Sequence, residues 1–154
     1  MTISGDSFNI NYQKLRKALA DKISFQKIDK GKERGILMVR KAEIKIAKEV
    51  RGGKGEVEFH HIVTKEELNG HGDLYAMVRL KPGCSIGYHQ HVGNTEPYYI
   101  LQGHGTFVDN DGSRIEVGPG DVCYIEVGQS HAMENNSDED LVFMALIYNE
   151  CKFY

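Results

Sequence analysis

Hydrophobic residues follow two different periods on either side of the glycine-rich segment 52–55. Before this segment, apolar residues recur at spacings of three and four between Asn11 and Ile23, which predicts one amphipathic helix. After it, apolar and polar residues alternate over many short segments that turn residues separate. Short strands without long helices between them indicate antiparallel all-β structure, as a closed barrel or a jelly roll. We therefore predict a helical extension over residues 1–52 and a β domain over residues 53–154.

Nine segments of the β domain carry the strand pattern. They are Glu56–Val63, Leu74–Leu80, Ile86–Val92, Tyr98–Gln102, Thr106–Val108, Arg114–Val117, Val122–Val127, His131–Glu134 and Leu141–Tyr148. The run Asp109-Asn110-Asp111-Gly112 predicts a hairpin turn between two of them. Ala42–Glu49 is ambiguous, because Ile44 and Ile46 alternate as in a strand but stand ahead of the glycine-rich boundary.

The net charge of −3 conceals an asymmetry along the chain. Residues 1–54 hold 14 Lys/Arg and 6 Asp/Glu, a net charge of +8, whereas residues 55–154 hold 5 Lys/Arg and 16 Asp/Glu, a net charge of −11. A basic arm can bind nucleic acid, but this one has too little predicted helix for a helix-turn-helix and shows no other nucleic-acid motif. We expect the arm to lie on its own acidic domain or on that of a partner subunit.

Cysteine usage and hydropathy indicate the compartment. Cys84, Cys123 and Cys151 are odd in number and widely spaced, which argues against a disulfide framework and for a reducing environment. No apolar run is long enough to cross a bilayer, and the first residues lack the basic-then-apolar layout of a signal peptide. We expect a cytoplasmic protein without a membrane partner.

Met38 is a second candidate start of the product. Residues 30–35, shortly before it, are Lys, Gly, Glu and Arg, whose codons can consist of purines alone, as in a translated ribosome-binding site. A product that starts at Met38 would have a net charge of −7, because residues 1–37 hold 8 Lys/Arg and 4 Asp/Glu. The amphipathic pattern of Asn11–Ile23 favours the alternative, in which residues 1–37 belong to the protein.

Four residues of the β domain have the types and spacing of metal ligands. His89 and His91 project from the same face of a strand, because positions i and i+2 do. Glu96 can return to the same point after a tight loop, and His131 comes from a distant strand. An isolated His-x-His pair is more often structural. The adjacent pair His60-His61 cannot share an ion, since neighbouring residues of a strand face opposite ways.

Two motifs of the chain resemble the two signature motifs of the cupin superfamily. The first is Gly83, five residues, His89-Gln90-His91, four residues, Glu96, six residues and Gly103, which matches at every fixed position. The second runs from Gly120 through Gly128 and His131 to Asn135, with Glu126 where the family has proline. The resemblance covers about residues 55–150 and implies a cupin-type β-barrel, or jelly roll, around one metal ion.

The resemblance implies that His89, His91, Glu96 and His131 bind this ion. Three imidazoles and a carboxylate suit one divalent transition metal ion: Mn, Fe, Co, Ni, Cu or Zn. A closed structural zinc site would more often use cysteine.

Strand alternation extends this site to a candidate pocket. If Glu96 faces inward, so do Tyr98 and Ile100, and if His131 faces inward, so does Met133. We take Tyr98, Ile100 and Met133 as candidate substrate-binding residues, with plain core packing as the open alternative. On the preceding strand either Tyr75, Met77 and Arg79 or their alternates border the interior.

The function that these features favour is that of a metal-dependent enzyme, an oxidoreductase, decarboxylase or isomerase, acting on a small substrate with carboxylate or hydroxyl oxygens. Oxalate decarboxylases place an arginine three residues before the first motif histidine, where this chain has Ile86. A sugar-phosphate isomerase or epimerase and a non-catalytic ligand-binding or sensing cupin remain as alternatives. The outward-facing residues Tyr99 and Leu101 are large and apolar, so we also expect a homodimer.

Overall fold

The structure is a computed structural model that describes residues 39–150 as ten antiparallel strands in two sheets. The strands are β1 (Glu43–Lys48), β2 (Glu56–Val63), β3 (Gly72–Leu80), β4 (Ser85–Gln90), β5 (Asn94–Gln102), β6 (Gly105–Val108), β7 (Arg114–Val117), β8 (Val122–Ile125), β9 (Ser130–Glu134) and β10 (Leu141–Asn149). One sheet has the order β1-β2-β3-β10-β5-β8 and the other β4-β9-β6-β7. The helix predicted over Asn11–Ile23, the possible start at Met38 and Cys151 lie outside the described residues.

The two sheets face each other as a jelly roll, which confirms the all-β prediction. Alternate residues of the central strands point into the space between them: Leu141 and Phe143 of β10 and Val78 and Leu80 of β3 are fully buried. Over residues 39–150 the strands form two separate ladders rather than one continuous barrel wall. No helix in this part of the chain has the length and hydrophobicity that crossing a membrane would require.

The ambiguous segment before the glycine-rich boundary is a strand of the larger sheet. β1 pairs along its whole length with β2, from Glu43 opposite His61 to Lys48 opposite Glu56. The sheet therefore begins ahead of the expected domain boundary at residue 53. Backbone pairing with the later strand β2 determines that this segment is a strand. The short alternation of Ile44 and Ile46 alone could not decide this.

A tight 3₁₀ turn, Val50–Gly52, lies directly against β4. A side chain at Gly53 would stand 2.2 Å from the carbonyl oxygen of Ser85, and one at Gly87 would stand 2.2 Å from that of Arg51. Both positions therefore need glycine so that the two backbones can approach. The amide of Ser85 donates to the carbonyl of Lys54 at 2.9 Å, which fastens the turn to the strand.

Candidate metal centre

The four candidate ligands come from both sheets and meet in the interior. His89 of β4 stands directly opposite His131 of β9, and His91 follows one residue after β4 ends. Glu96 reaches them from β5 in the other sheet. The ring centroids of the three histidines lie 4.6 to 5.1 Å apart. The structure brings all four residues together, and strand alternation accounts for the shared face of His89 and His91.

The ligand atoms converge on one point. One donor atom from each of the four residues lies within 4.8 Å of every other. Three of these atoms form a near-equilateral triangle: Glu96 Oε2 lies 3.1 Å from His91 Nε2 and 3.1 Å from His131 Nε2, and the two nitrogens are 3.1 Å apart. Of the three residues, none is more than 4% exposed.

Hydrogen bonds orient two of the histidines toward this point. His89 Nδ1 donates to the carbonyl oxygen of Gly87 at 2.9 Å, and His91 Nδ1 donates to Asn94 Oδ1 at 2.8 Å. Because Nδ1 carries the proton in both rings, Nε2 presents its lone pair to the centre. His131 Nδ1 is buried without a hydrogen-bond partner, and the aromatic rings of Tyr98 and Phe107 hold that ring instead, at 5.3 and 5.6 Å between centroids.

The turn that presents His131 closes without the proline of the family motif. The amide of Glu126, which stands in place of proline, donates to Gln129 Oε1 at 2.8 Å. The carbonyl of Gln129 in turn accepts from the amide of His91 at 2.9 Å. A side-chain hydrogen bond therefore stabilises the turn and ties it to the strand end that carries His91.

Charge coupling and burial shift the pKa values of the cluster. A hydrogen bond with Glu96 raises the pKa of His91 above its usual value, and burial lowers the pKa of His89. Burial by itself would raise the pKa of Glu96, but its hydrogen bonds with His131 and His91 outweigh burial and hold that pKa below the usual value. The carboxylate is therefore charged in the interior, where an uncompensated charge is costly.

These four residues fit a divalent metal ion. Glu96 Oε2 is buried 3.1 Å from the Nε2 atoms of His91 and His131, and the lone pair of His91 Nε2 points at it. Such an arrangement of acceptors is repulsive unless a cation or a proton lies between them. Two donor atoms at adjacent corners of an octahedron, each about 2.1 Å from the ion, are about 3.0 Å apart, which is close to the separations found here. Three imidazoles and one carboxylate suit Mn, Fe, Co, Ni, Cu or Zn.

A cavity of about 370 Å³ opens beside the centre, between the two sheets. His89, Glu96 and Tyr98 line one part of it, and its walls include Phe59, Leu74, Ile86 and Ile147. Its volume lies in the range of small-molecule sites.

The three predicted pocket residues take different positions. Tyr98 lines the cavity, and its pKa is raised well above the usual value, first by burial and then by the charge of Glu96, so its phenol stays protonated. Ile100 and Met133 are fully buried in the hydrophobic core. On β3 the alternates Leu74 and Val78 border the cavity.

Arg79 of β3 faces outward instead. There its Nε donates to Asp140 at 2.8 Å, and its guanidinium also pairs with Glu58.

Four polar residues that the sequence reading missed also line the cavity. They are Lys45, Arg51, His61 and Asp73. For His61 a signal existed, since one member of the adjacent pair His60-His61 must face inward. Nothing in the local sequence indicated Arg51, because its position depends on the packing of the 3₁₀ turn against β4.

A two-sheet antiparallel jelly roll that holds three histidines and a glutamate between its sheets is typical of β proteins with an internal metal site. The family described as Cupin domain matches residues 76–147. A Thermotoga maritima relative named Oxalate-binding protein is 44% identical over 113 residues, which cover 72% of this chain and 93% of that protein. The chain belongs to the cupin family.

Solved structures agree with this assignment. The crystal structure of a Thermotoga maritima protein described as a predicted oxalate decarboxylase is 41% identical, with a TM-score of 0.69, over 74% of this chain and all of that one. A cupin-like protein from the same organism is 20% identical, with a TM-score of 0.59, over 74% of this chain and 81% of that one. The second likeness shows the fold alone.

Proposed function

We propose that this protein binds a small carboxylate anion at one divalent transition metal ion held by His89, His91, Glu96 and His131. The observation that carries the proposal is the triangle of three buried ligand atoms 3.1 Å apart. The name of the 44% identical relative, Oxalate-binding protein, supports carboxylate as the ligand class and oxalate as the first compound to test.

Each residue of the centre has a distinct task in this function. The three imidazoles are neutral ligands, and Glu96 supplies one negative charge, so a divalent ion keeps a positive charge with which to attract an anion. When bound, the ion supplies Lewis-acid attraction for carboxylate oxygens. Tyr98 keeps its proton and lines the cavity, so its hydroxyl can donate a hydrogen bond to a bound anion.

The wall near His89 is apolar where a decarboxylase of the oxalate type has arginine. Ile86 lines the cavity at that position and is 5% exposed. Its side chain cannot pair with a carboxylate, which favours binding of oxalate over its decarboxylation. Catalytic turnover of another acid, by oxidation, decarboxylation or isomerisation, stays a prediction that rests on the candidate metal centre.

Metal analysis and calorimetry test the proposal together. Protein purified without chelator should contain about one ion per chain. Oxalate should bind to this protein and not to the chelated form. The double variant His89→Ala, His91→Ala should lose both the ion and oxalate binding. The double variant His60→Ala, His104→Ala is a matched control that should keep both, because His60 faces outward to Glu58 and His104 pairs with Glu139 at the surface.

Two results would refute the metal-dependent carboxylate site. One is full metal occupancy in the His89→Ala, His91→Ala variant, and the other is a metal-loaded wild type that ignores oxalate and other small acids. Chromatographic assay of the bound acid after incubation then separates an enzyme from a binding protein. Sugar phosphates in the same titration address the isomerase alternative.

We further propose that the protein is a cytoplasmic homodimer, paired through the outer face of the larger sheet. This face exposes Tyr99, Leu101, Val122 and Tyr124 on neighbouring strands, at 43% to 64% of their surface. A contiguous apolar face of this kind is typical of an interface. The +8 charge of residues 1–54 and the −11 charge of the rest suit a second copy as the occupant. Light scattering at micromolar concentration should give twice the 17.4 kDa chain mass, and a monomer mass would contradict the proposal.

A further inference from the structure

One cation of the cavity keeps its charge available to a ligand. Within residues 39–150, the lysine and arginine side chains that line the cavity are Lys45 and Arg51. Lys45 pairs with Glu43 at 3.3 Å, and the acidic residue Asp73 of the cavity wall pairs with Lys65 at 2.8 Å. Arg51 is exposed and forms no ion pair with another residue in this part of the chain. Its guanidinium can therefore pair with an anion that enters the cavity.

The backbone of Arg51 lies against the strand that carries His89. A β carbon at Gly87 would stand 2.2 Å from the carbonyl oxygen of Arg51, so the two backbones are in contact. His89 follows Gly87 by two residues, about 6.6 Å along β4, and its Nδ1 donates to the carbonyl of Gly87 at 2.9 Å. A side chain as long as that of arginine can reach from this position to the metal end of the cavity.

The charge of Arg51 acts on this metal end. A hydrogen bond with Glu96 raises the pKa of His91, and the positive charge of Arg51 opposes the rise. Burial raises the pKa of Tyr98, and the same charge opposes that rise. Coulomb interactions weaken with distance, so these effects indicate that the guanidinium lies near the metal centre.

The fold fixes the turn that carries Arg51. The backbone of this residue adopts the left-handed conformation, at φ 55°, which non-glycine residues rarely take. Hydrogen bonds from the amide of Gly52 to the carbonyl of Glu49 and from the amide of Gly53 to that of Val50, each 2.9 Å long, close the turn. The surrounding structure therefore holds a conformation that the residue alone would avoid, as occurs at ligand-binding positions.

We propose that Arg51 binds the ligand beside the metal and makes the site selective for acids with two adjacent carboxylates. The metal holds the acid, and the planar guanidinium pairs with carboxylate oxygens that face the cavity. The β4 wall is apolar at Ile86, so the protein's positive charge comes from the turn instead. This inference rests on the proposed function, since the acid needs the metal. It deepens that function by naming the residue that distinguishes a dianion from a monoanion of the same shape.

Calorimetry with the full chain loaded with Mn²⁺ tests this selectivity. The probes are oxalate and oxamate, in which an uncharged amide replaces one carboxylate. The wild type should bind oxalate more tightly than oxamate. Arg51→Gln should weaken oxalate binding about tenfold or more and oxamate binding less, because a charge-assisted hydrogen bond is lost. All titrations need one low ionic strength, since salt screens an exposed charge.

A Mn²⁺ titration of the metal-free protein separates ligand binding from a structural role of the turn. Arg51→Gln removes a positive charge near the imidazoles, so it should bind Mn²⁺ as tightly as the wild type or more tightly. Metal affinity and oxalate affinity therefore respond differently to this substitution. A turn that had only lost its structure would weaken both.

Lys54→Gln is the matched control, because it removes the same charge from the same hairpin. The amide of Lys54 donates to Ser85 Oγ at 2.8 Å, and Lys54 lines a separate groove that includes none of the four candidate ligands. This variant should keep the wild-type ratio of oxalate to oxamate affinity.

Three results would overturn the role of Arg51 while oxalate binding by the wild type upholds the metal-centred function. They are an unchanged oxalate affinity in Arg51→Gln, an equal loss of oxalate affinity in Lys54→Gln, and a parallel loss of Mn²⁺ and oxalate affinity in Arg51→Gln. A metal-loaded wild type that binds neither oxalate nor oxamate would instead remove the proposed function itself.

Discussion

Gly87 controls both His89 and Arg51. Its carbonyl oxygen accepts the hydrogen bond from His89 Nδ1 at 2.9 Å, which turns the other ring nitrogen toward the metal centre. Its missing side chain leaves room for the carbonyl of Arg51, which would stand 2.2 Å from a β carbon. One backbone position therefore sets the orientation of a candidate metal ligand and the position of the turn that carries Arg51.

Gly87→Ala should loosen both features at once. The added methyl group must displace backbone rather than a mobile side chain, so we expect a loss of about 1 to 3 kcal/mol in the free energy of unfolding. Metal affinity should fall as well, because His89 loses its fixed orientation. Urea unfolding of the metal-free protein and a metal titration measure the two effects.

Gly118→Ala is the control for this substitution. A β carbon there would meet the ring of His104 at 3.0 Å, and that side chain is 67% exposed and can move aside. A Gly87→Ala variant that is as stable and binds metal as tightly as the Gly118→Ala variant would contradict the role given to Gly87.

Metal binding should displace a proton from His91 at low pH, so the apparent metal affinity should fall as the solution is acidified. The hydrogen bond with Glu96 raises the pKa of His91, so the metal-free protein keeps a proton there to a higher pH than an ordinary histidine would. The ion needs the neutral ring and must displace this proton, so apparent affinity falls as pH drops below the raised pKa and levels off above it. Calorimetry in buffers of different ionisation enthalpy counts the protons. Affinity that stays constant from about pH 6 to about pH 8 would contradict this coupling.

Asn135 should be needed for stability rather than for binding. Its Nδ2 donates to the carbonyls of Leu80 and Glu139, each at 2.8 Å, and its Oδ1 accepts from the amide of Ser137 at 3.0 Å. Asn135→Ala leaves these buried groups unpaired, at a cost of about 2 to 4 kcal/mol in thermal or urea unfolding. The exposed neighbour serves as the control, and Asn136→Ala should cost under about 1 kcal/mol. Equal effects of the two substitutions would refute this assignment.

Cys123 should resist thiol reagents in the folded protein. Burial, and then the charges of Asp121 and Asp109, raise its pKa to about 12. At pH 8 only about one thiol in ten thousand is then ionised, and the thiolate is the reactive form. Cys84 is partly exposed and should be labelled before Cys123. Peptide mapping after brief maleimide treatment measures this, with the denatured chain as control. Labelling of Cys123 as fast as that of Cys84 would contradict the burial.

The candidate metal ligands could be predicted from sequence because part of their geometry is local and the rest follows the motif spacing. Residues two positions apart on one strand share a face, so His89 and His91 had to point the same way. The motif spacing supplied Glu96 and His131. Which face of a strand points inward cannot be predicted from the local sequence. On β2 and β3 it depends on pairing with β10, which turns His61 inward and Arg79 outward.

The position of Arg51 could not be predicted for a related reason. Arg51 follows no alternating pattern, and its place depends on backbone contact between Gly53 and β4, more than thirty residues later in the chain. The strand β1 was ambiguous for the same reason, since only its pairing with β2 distinguishes it from a linker.

Because Glu96 belongs to one sheet and the three histidines to the other side of the interior, an ion at the centre is a cross-link between the two layers. Binding to the folded chain alone adds to its stability, by about 2.7 kcal/mol when free metal exceeds its dissociation constant a hundredfold. A cell short of the metal would then hold a protein that opens more often and is degraded sooner. Metal supply would thus set how much of the protein persists, as well as how much of it is active.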